Sequence, residues 1–548
     1  MKGVYEKKTL FERYSIEGLD HLNSLRVPLQ SVLSQTAKDF PEKTVITYGR
    51  QKVTYLQLDE FSSRFASALI DLGVKKGSRV ALFLSNSLQF IITYFGVLKA
   101  GAVVTVISPL YKDREVEHQL CDSGAQIVVV LKSLYPIVEK IMDKTLLKSV
   151  IVTDLANDEL KVSNSRSLNV FDFWGLIEKS AVVSSSLHVE SEKDLAVLQY
   201  TSGTSGASKG VMLSHTNLVS NTLSFASWIK GTSDDVFLSV LPLFHVYGMM
   251  SSMLTPISLG AEIVLLSGFD PVKCLQAVRR YGVTVFCGSP TMYNMLLEVD
   301  FERYDLSSLR VCISGASRLS GHVQERFMRA GVFLVEGYGL TEASPVTHCT
   351  PVDRAMGPVK VGSVGLALPG TEVRIVDVET GCSDVALGER GELCVKGLQV
   401  MLGYWQNTAE TARVLRDGWL FTGDIAYMDS DGYVYIVDRK KDVIKFKDYS
   451  ICPSELENIL SEHPAVKFCV VIGKPDVLFG EVPKAYVVLE KRGVGTSEEE
   501  LVEFVNSKVA GYKALGEVEF CNDLPIFGGK VLRRVLREEL GFEMYKRK

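Results

Sequence analysis

The densest chemistry in the sequence lies between Tyr200 and Gly210, YTSGTSGASKG. An apolar run, Leu195 to Tyr200, leads into three glycines, five serines or threonines and one lysine. Glycine lets a backbone approach a ligand closely and adopt positive φ. Backbone N–H groups, hydroxyls and the Lys209 ammonium then bring donors and positive charge to one place, which suits phosphate oxygens. Composition alone equally permits a Ser/Gly-rich surface loop. A Walker loop is excluded, because Ser208 occupies the position of its second glycine and Gly210 follows the lysine. Gly206 to Gly210 also spells G-x-S-x-G, the elbow that presents a hydrolase nucleophile, here Ser208. That elbow should follow its strand directly, whereas TSGTS intervenes after Tyr200. A lysine-activated amidase serine is a related possibility.

Further motifs decide among these. Leu241 to Gly248 reads LPLFHVYG, Val335 to Pro345 reads VEGYGLTEASP, and Gly418 to Gly432 reads GWLFTGDIAYMDSDG. Val437 to Glu457 reads VDRKKDVIKFKDYSICPSELE, and Pro525 to Arg534 reads PIFGGKVLRR. With the glycine-rich loop, this ordered set resembles the signature motifs of the adenylate-forming superfamily, in its fatty acyl-CoA synthetase branch. The resemblance runs from about Thr44 to Arg534. It implies ATP-dependent activation of a carboxylic acid as an acyl-adenylate, then transfer to coenzyme A.

The resemblance also implies roles. Thr201, Ser202, Gly203, Thr204, Ser205, Gly206 and Lys209 would surround the phosphates. Glu342, with Thr204, would hold Mg²⁺, and Thr341 would lie beside it. Mg²⁺ accepts one or two carboxylates plus phosphate oxygens, so a single Glu is chemically sufficient. Tyr338 would stack on adenine, with Gly315 and Ala316 along the purine and Glu336, Gly337 and Gly339 around it. Asp424 and Arg439 would meet the ribose, with Ile436 nearby. Lys530 would reach the α-phosphate and the substrate carboxylate. His245, Val246 and Tyr247 would line the acyl site. Lys441 would be the hinge, and Lys445 would face the site during thioester formation. Taken singly, each has an ordinary reading: a capping Glu, a packed Tyr, a turn Asp, a core His, exposed cations. Phe244 to Tyr247 carries no acidic residue to hold a substrate amine, which disfavours amino acids. A medium- or long-chain fatty acid is expected, with an aryl acid as in coumarate ligases the alternative. A hydrolase built on Ser208 and a nucleotide-binding relative without turnover are the readings from other classes. Asp448 stands where such synthetases usually have glycine, and the run Pro525 to Lys530 is one residue shorter than typical.

The elements that must position these residues follow from periodicity. Helical spacing alternates with short apolar runs from Lys43 to Gly260, an α/β pattern. Thr54 to Leu72 predicts a helix with Leu58, Phe61, Phe65 and Leu69 on one face and Gly73 as its stop. Arg79 to Leu84, Val103 to Val106, Gln126 to Leu131, Val236 to Leu241 and Glu262 to Leu266 predict buried strands, and Leu88 to Ala100 a helix. Lys161 to Ser186 predicts a surface segment. Glu372 to Val378, Gly391 to Lys396 and Gly432 to Val437 predict short strands of an antiparallel or barrel-like lobe. Pro453 to Ser461 and Glu498 to Ala510 predict helices, with strands at Phe468 to Ile472 and Ala485 to Leu489.

The expected fold is α/β: a large N-terminal domain of layered α/β sheets with a small β-barrel lobe, then a small mobile α+β C-terminal domain. The expected boundaries are 1–437 for the AMP-binding domain (lobe about 362–437), 438–441 for the hinge and 442–548 for the lid. The 548 residues carry a net charge of −5 and are 46% hydrophobic, enough for a large core and without the basic footprint of nucleic-acid binding. The charged amino terminus does not resemble a signal peptide. Phe90 to Leu110, interrupted by Lys99, predicts two core elements and no membrane span. Ten dispersed cysteines without a C-x-x-C pair suit a reducing compartment, so the expected location is cytoplasmic. The resemblance leaves room for a homodimer and for peripheral membrane contact.

Overall fold

The computed structural model describes residues 26–538 except 156–168, 183–187, 202–207, 300, 448, 477, 491–494, 528–529 and 534. Two compact units share the chain. The larger takes residues up to Val373 together with Val395–Leu420; the smaller takes Arg374–Cys394 and the chain from Phe421 onward. The division thus differs from the expected one at 437/438, which falls inside the smaller unit together with the proposed hinge residues. Contacts between segments remote in sequence set such a division, and motif spacing does not report them.

The larger unit is built on two sheets. One has eight strands, and its central run Leu195–Thr201, Val103–Val106, Arg79–Phe83, Ile127–Leu131, Ser149–Thr153 and Asn169–Asp172 is parallel. The other has nine strands, with Leu334–Gly339, Val311–Ser314, Val285–Gly288, Val236–Ser239, Glu262–Leu265 and Thr44–Tyr48 parallel in that order. Parallel sheets need both faces covered, which explains the near-continuous Val/Ile runs such as IVVVL over Ile127–Leu131.

Local signals place the helices. Tyr55–Asp71 opens with a capping box in which Thr54 accepts from Gln57 N–H, and it buries Leu58, Phe65 and Leu69. Leu88–Lys99 begins at Ser87 and is buried from Leu88 to Leu98. A helix buried on every face belongs inside a protein or a membrane. At twelve residues it cannot span, and among the described residues no helix is long and apolar enough to cross a membrane. Its terminal Lys99 pairs with Asp59 at 2.6 Å and bonds Ser63 at 2.8 Å.

The expected surface segment Lys161 to Ser186 is corrected over 169–179, while residues 161–168 and 183–186 lie outside the described residues. Asn169–Asp172 is an edge strand parallel to Ser149–Thr153, and Phe173–Lys179 is a helix capped by the Asp172 side chain. Phe173 is fully buried and packs on the Phe65 ring at 5.0 Å. Serine content obscured this apolar anchor.

In the smaller unit, Trp419–Met428, which starts just across the division, pairs antiparallel with Val434–Arg439. With Glu372–Val376 and Gly391–Lys396 they form an open path of pairings. A second sheet pairs Val466–Asp476 with Gly480–Leu489 along their length and adds Ile444–Phe446, Tyr449–Ile451 and Glu517–Phe520. Helices Pro453–Ser461 and Glu498–Asn506 cover it, burying Leu456, Leu460, Leu501 and Val505 against Val471 and Val487.

Candidate active site

Lys209 begins the strand Lys209–Ser214, which turns back antiparallel on Leu195–Thr201. Thr201 ends the first of these strands, while Ser202, Gly203, Thr204, Ser205 and Gly206 lie outside the described residues. A nucleophile elbow joins a strand to a helix. Ser208 precedes a strand instead, so the chain does not build that elbow.

The outer edge of Lys209–Ser214 is covered by a segment that sequence reasoning assigned to the β-rich lobe. Gly403–Tyr404 pairs antiparallel with Met212 and Val211, and Trp405 N–H donates to Gly210 O at 2.7 Å. The helix Thr408–Val414 follows, capped by Asn407, whose side chain accepts from Glu410 N–H. Three contacts from this segment reach predicted site residues. The Lys209 ammonium lies 2.6 Å from Glu410 Oε1 and 5.3 Å from the Tyr404 ring centre. The Tyr404 hydroxyl donates to Glu342 Oε1 at 2.8 Å. Lys209 and Glu342 are thus gathered about one tyrosine.

Charge follows this geometry. The Lys209 hydrogen bond holds the Glu410 carboxyl below its usual range. Burial, then the neighbouring Glu342, pushes the Tyr404 phenol well up, so it stays protonated and donates. Among the described residues, Glu342 Oε2 has no hydrogen-bond partner. One half-buried carboxylate with an open oxygen fits Mg²⁺, which takes most of its ligands from phosphate and water.

Glu342 sits in the turn Thr341–Ala343 after the strand Leu334–Gly339, which carries Glu336, Gly337, Tyr338 and Gly339. Gly339 has no substitute: an added Cβ would lie 1.9 Å from Pro345 O. The Tyr338 ring, half-buried, lies 5.9 Å from that of His348, whose pKa burial pushes down to about 3. Glu336 points inward instead; it is 5% exposed and its carboxylate accepts from Leu319 N–H. Gly315 and Ala316 follow the neighbouring strand Val311–Ser314, and Ala316 takes a φ of 75°.

Of the predicted acyl-site residues, Tyr247 packs against Gly315 and the strand before it. His245 is half-buried and caps the short helix Val246–Met249. Tyr247 is 7% exposed, and its hydroxyl donates to Ile313 O at 3.1 Å. A Cβ on Gly315 would meet the Tyr247 ring at 3.0 Å, so the glycine admits the tyrosine. Val246 is buried as well.

The smaller unit holds the other predicted residues. Asp424 is buried and opposite Arg439 in register, with Arg439 Nε 2.6 Å from Asp424 Oδ1. Ile436 faces Ala426 on the same pair of strands. Lys441 is exposed, between Lys440, paired with Glu392 at 2.8 Å, and Asp442, paired with Arg537 at 2.9 Å. Lys445 is exposed in Ile444–Phe446. The backbone of Lys530 pairs with Phe527. Asp448 lies outside the described residues.

Residues 33–405 match the model of the AMP-binding enzyme family, and residues 455–527 match that of the AMP-binding enzyme C-terminal domain. The chain belongs to the AMP-binding enzymes. It is 40% identical over 532 residues to the long-chain-fatty-acid–CoA ligase of Bacillus subtilis (strain 168), covering 93% of this chain and 94% of that one. It is 35% identical to 4-coumarate–CoA ligase 5 of Oryza sativa subsp. japonica, covering 95% of each. ATP-bound MatB from Rhodopseudomonas palustris superposes with a TM-score of 0.86 at 30% identity, covering 93% of this chain and 98% of that one. In this AMP-binding enzyme, sequence reasoning named Lys209 and Glu342 as candidates and did not name Tyr404 and Glu410, which contact them. The available signal was GYWQNTAET, Gly403 to Thr411, where Asn407 and Glu410 have the spacing of a helix cap and its third residue.

Proposed function

We propose that this enzyme activates a medium- or long-chain fatty acid in two steps. A carboxylate oxygen attacks the α-phosphorus of ATP, the bond to the bridging oxygen breaks, and pyrophosphate leaves with the electron pair. The thiol of coenzyme A then attacks the acyl carbon, its proton passes to solvent, and AMP leaves. The first step brings an anion onto a polyanion, so fixed donors and positive charge are its main requirement. Adenylation is supported above all by one observation: Lys209 and Glu342 are held about Tyr404, beside the strand that starts at the glycine-rich loop.

Lys209 would meet the triphosphate, and Tyr338 with Gly315 and Ala316 the purine. Asp424 and Arg439 would bind the ribose, and Lys530 would approach the α-phosphate during adenylation. Mg²⁺, held by Glu342 with Thr204, would neutralise charge on the triphosphate. We further propose that residues 438–441 act as a hinge, so that Lys530 serves the first step and Lys445 the second. The fatty-acid assignment follows the Bacillus relative and the lack of an acidic residue from Phe244 to Tyr247. Ten free thiols agree with a cytoplasmic location.

Acid-dependent exchange of labelled pyrophosphate into ATP tests this directly. The acids are straight chains from hexanoate to palmitate, with 4-coumarate as the aryl arm. Exchange should rise with chain length, and adding coenzyme A should convert the acyl-AMP to a thioester with release of AMP. Preference for 4-coumarate would transfer the assignment to the aryl branch. Absence of exchange with every acid would sink adenylation itself.

A further inference from the structure

The contacts on Lys209 and Glu342 concern more than their placement. One short segment, Tyr404 to Arg413, supplies partners to both groups assigned to the charged end of the nucleotide. Glu410 Oε1 lies 2.6 Å from the Lys209 ammonium, and each side chain is 18% exposed. Glu410 is also 3.3 Å from Arg413, three residues later on the same helix, and Arg413 is 71% exposed. Glu410 thus has a second cation ready on its own element. Lys209 similarly retains the face of the Tyr404 ring.

We propose that Glu410 is a placeholder for the triphosphate: it holds the Lys209 ammonium in the nucleotide-free enzyme and yields it to phosphate, retaining Arg413 as its partner. A carboxylate 2.6 Å from this ammonium occupies one of its three donor directions, which a phosphate oxygen could otherwise take. Two anions cannot share that direction without repulsion. Nucleotide binding therefore includes the loss of one partly screened ion pair, and a nucleotide without β- and γ-phosphates does not incur it. Tyr404 anchors the segment to Glu342 throughout, so the exchange is local to Glu410. This rests on the assignment of Lys209 to phosphate.

The test is equilibrium titration of the full-length enzyme with ATP, inorganic pyrophosphate and AMP at fixed Mg²⁺, using Glu410→Gln, Glu410→Asp and Lys209→Met. The Gln variant removes the charge. The Asp variant keeps it but is one methylene too short to reach. Both should bind ATP and pyrophosphate about threefold to tenfold more tightly than wild type, with AMP unchanged. Tightening in Gln alone would mean simple long-range repulsion and would overturn the proposal, as would unchanged or weaker binding in both. If Lys209→Met leaves ATP affinity intact, the assignment of Lys209 itself fails. If that variant binds ATP weakly while neither Glu410 variant tightens, only the placeholder fails. Melting temperatures of all variants, read alongside, separate an effect on binding from an effect on folding.

Discussion

Glu336 carries a buried carboxyl group, 5% exposed. It lies two positions before Tyr338 in VEGYG, so the motif placed it among nucleotide-binding residues. Its carboxyl instead faces the interior, where burial raises its pKa from 4.5 to about 7. Below pH 4.5 it is protonated both folded and unfolded, and ionisation contributes nothing to the pH dependence of stability. Between pH 4.5 and about 7 the unfolded chain releases this proton first, so stability falls as pH rises. Above about 7 the difference is constant. Glu336→Gln removes this dependence and can still accept from Leu319 N–H. The variant should gain on wild type by about 2–3 kcal/mol across that window, read as denaturant midpoints at pH 4.5, 6 and 8. A gain independent of pH would contradict the buried-acid assignment. Motifs report which residues recur together; they do not report which side of a strand a carboxylate takes. Lys209 and Glu342 could be named from the sequence because their chemistry gives their types a purpose. Glu410 could not, because an acidic residue near a proposed phosphate site has no obvious purpose until its cation is seen.

At the scale of elements, the caps at Thr54, Ser214 and Asn407 could be read from side chains three residues before an amide that needs a partner. The connections among the later elements could not be read this way. Arg533, three residues after Lys530, extends Nη2 to Glu457 Oε1 at 2.5 Å and Nη1 to Asp442 Oδ2 at 3.6 Å. Glu457 lies on Pro453–Ser461 and also accepts Val471 N–H at 2.7 Å. At the start of that helix, Ser454 N–H donates to Asp438 Oδ2 and Ser454 Oγ to Val437 O. The residues around 438–442, the helix and the chain after Lys530 are therefore tied together by charge. Arg533→Met would leave Glu457 buried without its cation. The side chains are 23% and 18% exposed, so the loss should be about 2–4 kcal/mol, somewhat below that of a fully buried pair. Adding Glu457→Gln should recover part of it, because the Val471 N–H keeps its acceptor. Urea unfolding followed by a probe in the smaller unit measures both. Equal stability of Arg533→Met and wild type would show that the pair contributes nothing. No spacing rule predicts a bond between positions 76 apart; only the folded chain does.

Across the whole molecule, the sequence carried the family and the alternation of helices and strands. The expected boundary at 437/438 rests on motif order, whereas residues 395–420, which lie in sequence between two stretches of the smaller unit, group with the larger. Hydrogen bonding is the reason: Leu402, Tyr404 and Trp405 satisfy the edge of the strand that starts at Lys209. The proposed two-step chemistry makes a demand at this scale. Adenylation needs a cation at the α-phosphate while pyrophosphate leaves; thioester formation needs an open approach for a thiol to the same acyl carbon. One fixed arrangement would have the adenylating lysine in the way of the thiol, and exchange of one lysine for another removes that conflict. Lys530 pairs through its backbone with Phe527, and Lys445 is the exposed residue of Ile444–Phe446, after the 438–441 segment; single substitutions at the two positions test the two demands separately. Lys530→Ala should abolish pyrophosphate exchange yet still convert supplied acyl-AMP and coenzyme A to thioester. Lys445→Ala should exchange pyrophosphate at the wild-type rate and accumulate acyl-AMP, with thioester formation reduced at least about tenfold, equivalent to 1.4 kcal/mol of barrier. A general loss of order in the smaller unit would lower both half-reactions in both variants. Equal impairment of exchange and transfer in each variant would therefore refute the assignment of separate steps to these lysines, and the four rates together decide it.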